Sequence, residues 1–263
     1  MFNKPKKALG QNFLKSTRVL GDFIVACELS KDDVVLEVGA GTGAVTTELA
    51  KVAGKVIAVE FDRDLVDSLK ESFRYIPNVT IVSEDILQFT PLCGAGKASN
   101  SKFSIFNKFS ILNFQNFKII GSIPYSITSP LIHAILTLEH KPKSVCFIVQ
   151  YEVAKKICAK VPNGNYLSNL VATFGEAKIV RKIPHGAFYP APKVDSAILK
   201  IVTHKNYPNI KIVEFSEFLH KGFKHPRKKI KQVFTLEELS KANIDPNLRP
   251  SNLSLLDWMR LFG

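Results

Sequence analysis

The chain has 263 residues, and none of its apolar runs approaches the roughly 20 residues that a membrane-spanning helix needs. Its first ten residues, Met-Phe-Asn-Lys-Pro-Lys-Lys-Ala-Leu-Gly, hold no apolar h-region, which predicts no secretory leader. Cysteine is scarce. Cys27, Cys93, Cys146 and Cys158 show no close pairing pattern, which excludes a short-spaced metal motif and a disulfide framework. They read as reduced, mostly buried thiols of a cytoplasmic protein. No histidine stands out as a catalytic base, and His133 and His185 read as structural. Acid is missing from residues 1–21, which carry five Lys or Arg.

What is present is apolar residue and positive charge. Hydrophobic content of 46% with a mean hydropathy of +0.06 is that of a globular protein, long enough for one large α/β domain and a small second one. Thirty-six Lys and Arg against 23 Asp and Glu give a net charge of +13 and a pI near 9.5. The excess is uneven. Lys200 to Lys231 hold nine basic residues and only Glu214 and Glu217 as acids. Two separated basic segments favour a polyanionic partner over evenly spread solubilising charge.

The centre of the chain is Val34-Val-Leu-Glu-Val-Gly-Ala-Gly-Thr-Gly43. Val34, Val35, Leu36 and Val38 form the short apolar run of a parallel strand covered on both faces. Gly39, Gly41 and Gly43 make a turn that can approach a ligand closely. Helical spacing from Ala44 to Leu49 would leave free N–H groups facing that ligand. A second apolar run, Val56–Val59, ends at Glu60, whose carboxylate suits the two hydroxyls of a ribose. A third strand, Val79–Val82, brings Asp85 to the same edge of the sheet. Gly39-x-Gly41-x-x-Ala44 also satisfies a dinucleotide fingerprint, so a nicotinamide or flavin enzyme stays open at this point. Glu37-x-Gly-x-Gly-x-Gly43 equally matches the first motif of S-adenosylmethionine methyltransferases.

The rest of the chain is read in order. Gly10-Gln11-Asn12-Phe13-Leu14 sits in a basic arm before a helix over 17–27, and its amides can line one wall of a cofactor pocket. Asp62 can cap a helix to about Arg74. Residues 91–117 are too long for a compact connection and read as an insertion. Strand 118–120 runs into Gly121-Ser122-Ile123-Pro124-Tyr125, where Tyr125 offers a stacking face and Ser122 with a main-chain carbonyl can accept from an exocyclic amine. The Pro124 carbonyl is expected to stay out of the neighbouring turn. A helix follows over 129–138. Val194–Val202 reads as the last strand, and helices are expected over 213–224, 227–234, 236–242 and 253–262.

In order, these segments resemble the ribosomal RNA adenine N6,N6-dimethyltransferases, the kasugamycin-sensitivity type and its relatives. The likeness rests on Gly10–Leu14, Glu37–Gly43, Val59–Asp64, the Asp85 strand tip, Gly121–Tyr125, Val149–Ala154, Tyr166–Ser168, Phe188–Ser196 and Leu248–Leu253. It implies a Rossmann-like α/β methyltransferase sheet over 1–203 and a helical RNA-binding domain over 204–263. It further implies S-adenosylmethionine as cofactor, held by Gln11, Asn12, Leu14, Gly39, Gly41, Glu60, Asp85, Ile86 and Ser122. Ser122, Pro124, Tyr125 and Phe188 would hold the target adenine, the Phe188 ring opposite Tyr125. Lys221, Lys224, Arg227, Lys228, Lys229 and Lys231 would contact RNA phosphates. Ser122 departs from the family, whose motif has Asn there; serine is shorter and lacks the amide. The partner implied is small-subunit ribosomal RNA or an assembling small subunit, bound by a monomer, with no metal and no membrane. Two rivals share the resemblance: dimethylation of large-subunit RNA, as in the erythromycin-resistance branch, and a nucleic-acid-binding factor without turnover.

Overall fold

The computed structural model describes residues 5–6, 9–86, 116–138, 140–205 and 210–263. Most of the expected 91–117 insertion lies outside the described residues. Its last residue does not. Phe117 is buried and opens β5, paired with Val34, so that strand starts one residue earlier than the sequence suggested.

The described elements are β1 (Phe13–Leu14), α1 (Thr17–Cys27), β2 (Val34–Val38), α2 (Ala44–Val52), β3 (Lys55–Glu60), α3 (Arg63–Ser72) and β4 (Val79–Ser83). Then come β5 (Phe117–Ser122), α4 (Thr128–Thr137), β6 (Ser144–Gln150), α5 (Tyr151–Ile157), α6 (Tyr166–Ala172), β7 (Gly175–Ile183), β8 (Phe188–Tyr189) and β9 (Ser196–Thr203). The chain ends with α7 (Ile212–Phe223), α8 (Leu236–Lys241) and α9 (Leu255–Phe262). Two compact units result, one from residues 1–154 and 178–203, the other from 155–177 and 204–263.

In the first unit the sheet order is β4-β3-β2-β5-β6-β9-β7. Strands β4, β3, β2, β5 and β6 are mutually parallel, while β9 runs antiparallel to β6. All five residues of β2 are buried, as a central parallel strand requires. The chain leaves β2 for β3 on one side, and β5 lies on the other. A crevice therefore opens at the carboxyl ends of β2 and β5, the place where open α/β sheets bind ligands. The two strand ends press together there: a Cβ on Gly121 would sit 2.4 Å from the Val38 carbonyl oxygen, so only glycine fits. Apart from the sheet, β1 pairs antiparallel with β8, Phe13 opposite Tyr189 and Leu14 opposite Phe188. β9 begins at Ser196 rather than Val194, because Asp195 is engaged in a turn described below.

The second unit is built around Trp258 of α9, which is fully buried among Phe218, Phe223 and Phe234. A Cβ on Gly222 would meet the indole at 2.4 Å, which is why α7 carries glycine at its closest approach. Residues 155–177, up to the first residues of β7, cluster here: the Tyr166 hydroxyl meets Ser216 Oγ at 2.7 Å, and its ring stacks on His220 at 3.8 Å. The helix expected over 227–234 reduces to a single 3-10 turn, Ile230–Gln232. The backbone there is committed elsewhere: Lys229 is extended, and Ile230 N and Lys231 N donate to the Leu248 and Pro246 carbonyls at 2.7 and 3.3 Å instead of to a helical turn.

Candidate active site

A cavity of about 300 Å³ opens at the crevice of the first unit. Its floor is the glycine turn after β2. Gly39, Gly41 and Gly43 all have positive φ (72°, 58° and 82°), a backbone that favours glycine. At Gly43 a Cβ would also lie 2.9 Å from Leu69 and Phe73 side-chain atoms, so the turn is locked against α3. The Phe13 ring covers Gly41, with ring carbons 3.4 Å from where a Cβ would be. Phe13 and Leu14 are held there by β8.

Glu60 ends β3 at the cavity wall and is almost fully buried. Three backbone N–H groups orient its carboxylate. Gly41 N donates to Oε2 at 2.8 Å, and Phe61 N and Asp62 N donate to Oε1 at 2.9 Å each. A carboxylate held this way keeps lone pairs for hydroxyl donors of a ligand. Asp85 and Ile86 line the same wall beyond β4. Beneath the turn, Glu37 is buried at 1% exposure, and its Oε2 has no hydrogen-bond partner among the described residues. Burial pushes its carboxyl up to about 7, with Glu60 adding to the rise and Thr46 opposing it.

The amino-terminal arm forms a second wall. Leu9, Gly10, Gln11, Asn12, Phe13 and Leu14 all line the cavity. The Gln11 amide, expected to face a cofactor, instead donates to Asp62 Oδ2 at 2.8 Å and accepts from Lys6 N at 2.7 Å. Lys6 Nζ adds ion pairs of 2.6 Å to Asp62 and Asp64. Gln11 thus ties the arm to the start of α3. Asn12 donates its amide N–H to the Gly10 carbonyl at 3.0 Å, a local side-chain-to-backbone bond that shapes the turn.

The third wall is the segment after β5. Ser122, Ile123, Pro124, Tyr125, Ser126 and Ile127 line the cavity, and Phe188 faces it from β8. The Ser122 hydroxyl makes no hydrogen bond among the described residues. The Pro124 carbonyl differs from expectation: it accepts from Ile127 N at 3.1 Å, because Tyr125–Ile127 closes into a 3-10 turn. A carbonyl oxygen has two lone pairs, so one acceptor site remains. Burial, helped by nearby Asp195, holds the Tyr125 phenol above its usual range against the opposing Ser196 bond. The phenol is therefore neutral at working pH and not a base. Phe188 is 2% exposed and Tyr125 half-buried.

Every residue expected at the cofactor or the target base lines this one cavity. Phe13, Thr42 and Phe61 line it too, and the sequence reading missed them. Phe61 is 55% exposed, which is unusual for phenylalanine, and its place directly after the strand-end acid Glu60 was the signal the sequence offered. The acids of the lining are Glu60, Glu84 and Asp85, and among its described residues there is no Lys, Arg or His. A site of that charge suits a cationic or neutral ligand.

The six expected RNA contacts lie in the second unit. Lys221, Lys224, Arg227, Lys228, Lys229 and Lys231 are all exposed, and none forms an ion pair with a described carboxylate. Lys229 and Lys231 converge on Asn247 Oδ1 at 3.1 and 3.3 Å, and Lys221 lies over the Phe234 ring at 4.7 Å. Among the described residues no cluster of His, Cys, Asp or Glu could hold a metal ion, and no helix is long and apolar enough to cross a membrane.

The family model for ribosomal RNA adenine dimethylase matches residues 2–263. A ribosomal RNA small subunit methyltransferase A of Dehalococcoides mccartyi (strain CBDB1) is 37% identical, over 98% of this chain and 87% of that protein. The protein of the same name from Sulfurihydrogenibium sp. (strain YO3AOP1) is 32% identical, over 99% and 96%. Among solved structures, a dimethyladenosine transferase from Plasmodium falciparum is similar with a TM-score of 0.77 at 23% identity, covering 95% of both chains. The 23S rRNA methyltransferase ErmE is similar at 0.70 and 24%, covering 95% of this chain and 98% of its own. Those two likenesses carry the fold. With a family model spanning nearly every residue and a sheet whose glycine turn, Glu60 and Ser122–Tyr125 segment meet in one cavity, the chain belongs to the ribosomal RNA adenine dimethylase family.

Proposed function

We propose that this protein transfers methyl groups from S-adenosylmethionine to N6 of adenines in small-subunit ribosomal RNA, giving N6,N6-dimethyladenosine. The observation that carries the cofactor assignment is the charge of the cavity: three acids and no cation among its described lining residues. That wall complements the positive charge of a sulfonium nucleoside. The fit is also steric. The glycine turn leaves a cradle at Gly41 that a side chain would narrow against Phe13.

In this reading Glu60 accepts from both ribose hydroxyls, and Asp85 with Ile86 holds the cofactor adenine. Gly39 and Gly41 let the backbone approach the methionine and ribose portions, flanked by Asn12 and Leu14. Bound S-adenosylmethionine supplies an electrophilic methyl that needs no further activation. The protein's task is then to hold the target N6 in line. Ser122 Oγ and the remaining lone pair of the Pro124 carbonyl accept from the target amine and draw electron density onto N6. Tyr125 and Phe188 hold the plane of the base. The N6 proton leaves to solvent, so no histidine base is required. Extruding the adenine from its stack costs a few kcal/mol. Phosphate contacts by the six cations at 221–231 offset that cost and make binding salt-dependent. The small-subunit assignment follows from the names of the curated relatives.

The test is incubation with tritiated S-adenosylmethionine and unmodified small or large ribosomal subunits, followed by mapping of the product. Dimethyladenosine confined to small-subunit RNA is the expected result. Label in large-subunit RNA would move the protein to the resistance branch, and cofactor binding without label would make it a binding factor.

A further inference from the structure

The beginning of β9 is tied to both aromatic sides of the cavity. Ser196 is fully buried, its backbone paired with Gln150 of β6. Its Oγ lies 2.8 Å from the Tyr125 hydroxyl and has no other partner among the described residues. One residue earlier, the Asp195 carboxylate accepts from His185 N at 3.0 Å, from His185 Nδ1 at 3.2 Å and from Lys182 Nζ at 2.9 Å. His185 opens the 3-10 turn His185–Ala187 that leads directly into Phe188. The Asp195 carbonyl in turn accepts from Tyr151 N at 3.0 Å, where β6 gives way to α5. These two consecutive residues, themselves outside the cavity lining, each hold one of the rings that face it.

We propose that Asp195 and Ser196 are positioning residues for the target base: Ser196 fixes the Tyr125 ring, and Asp195 fixes the turn that delivers Phe188. The inference rests on the reading that an adenine enters beside those rings. A tyrosine ring turns about two side-chain torsions, and anchoring its hydroxyl removes most of that freedom before the base arrives. The anchor sits on a ladder strand, so it moves only if the sheet does. Asp195 is ionised throughout the working range, because Lys182 and His185 hold its carboxyl down to about 2. The Asp195 tie therefore holds across the working range, and the gap between the rings is set from one dipeptide.

The test is a double-mutant cycle on the wild-type background with RNA methylation and cofactor titration as separate readouts. Ser196→Ala and Tyr125→Phe each lose one end of the same bond. Each is expected to lower kcat/KM for RNA about fivefold, the usual worth of one hydrogen bond, with cofactor affinity unchanged. The double variant is expected to fall no further than either single variant, and Ser196→Thr, which keeps the hydroxyl, to recover most of the loss. Asp195→Ala acts through the other ring, so its loss should multiply with that of Ser196→Ala. Losses of Ser196→Ala and Tyr125→Phe that multiply, or full activity in folded Ser196→Ala, would overturn the proposal. A second measurement stands apart from activity: fluorine NMR of 3-fluorotyrosine protein, with the Tyr125 signal assigned by its loss in Tyr125→Phe. Ser196→Ala should shift and broaden that signal, and an unmoved signal overturns the proposal even if the protein methylates no RNA.

Discussion

The two units use charge in opposite ways. The cavity of the first has three acids and no cation among its described lining, and its central carboxylate, Glu60, is pinned by three backbone N–H groups. The second exposes six cations over 221–231 with no described carboxylate paired to them. A fixed, buried charge gives direction and selectivity to a small ligand, because its geometry is set before binding. Exposed lysines and arginines on long side chains give affinity for a polyanion with little geometric demand. The net charge of +13 belongs to the second kind of surface and says nothing about the cavity, which is locally negative.

The largest break in this contrast should come from Glu60. Glu60→Ala leaves three oriented N–H groups unpaired and, on the proposed reading, removes the charged acceptor for the ribose hydroxyls. Calorimetric affinity for S-adenosylmethionine is expected to fall about a hundredfold, with RNA binding unaffected. Removing Lys224, Arg227, Lys228 and Lys229 together should do the reverse. RNA affinity falls, and the slope of log affinity against log salt becomes shallower by about three, while cofactor affinity stays the same. A shared loss in both assays from either change would show that the two charge systems are not separable.

A smaller effect sharpens the picture of the cavity floor. The folded protein holds the Glu37 proton up to about pH 7, against 4.5 for an unperturbed carboxyl. The raised value means that its contribution to stability is complete below 4.5 and is lost as pH rises through 7. Glu37→Gln carries no proton to lose, so the fall in melting temperature between pH 5 and pH 8 should shrink by a few degrees. An unchanged pH profile would mean that Glu37 is ionised in the folded state. The smallest effect is expected at Ser122. Ser122→Asn adds an amide carbonyl at the end of β5 and should raise the ratio of dimethyl to monomethyl product by about twofold to threefold, read by mass spectrometry of digested RNA. No gain would show that Ser122 does not limit the second transfer.

Much of the site could be read directly from the chain because its parts are local. A buried apolar run followed by three glycines places a turn at the end of β2 without any tertiary information. The next apolar run places Glu60 at the end of β3 for the same reason. The failures are equally physical. Residues 227–234 have helix-compatible spacing, but Ile230 N and Lys231 N bond to the distant Leu248 and Pro246 carbonyls, which leaves only the turn at Ile230–Gln232. The segment from α5 to the start of β7 lies between sheet strands in the sequence, and tertiary contacts such as Tyr166 with Ser216 and His220, and Gly164 N with the Ser251 carbonyl, assign it to the second unit. Gln11 was legible as part of the arm, but not as the residue that ties it to Asp62.

What the sequence alone determined is therefore the strand–turn–helix core, the acids at the strand tips, the uneven positive charge and the family. Each depends on neighbours a few residues apart, or on an ordered set of short motifs. What only the tertiary structure decided is which distant groups constrain one another. The Pro124 carbonyl is shared with Ile127 N. The Tyr125 hydroxyl rests on Ser196, 71 residues away, and the turn before Phe188 hangs on Asp195. Hydrogen bonds across such separations depend on strand order and register, and no local pattern in the chain specifies them.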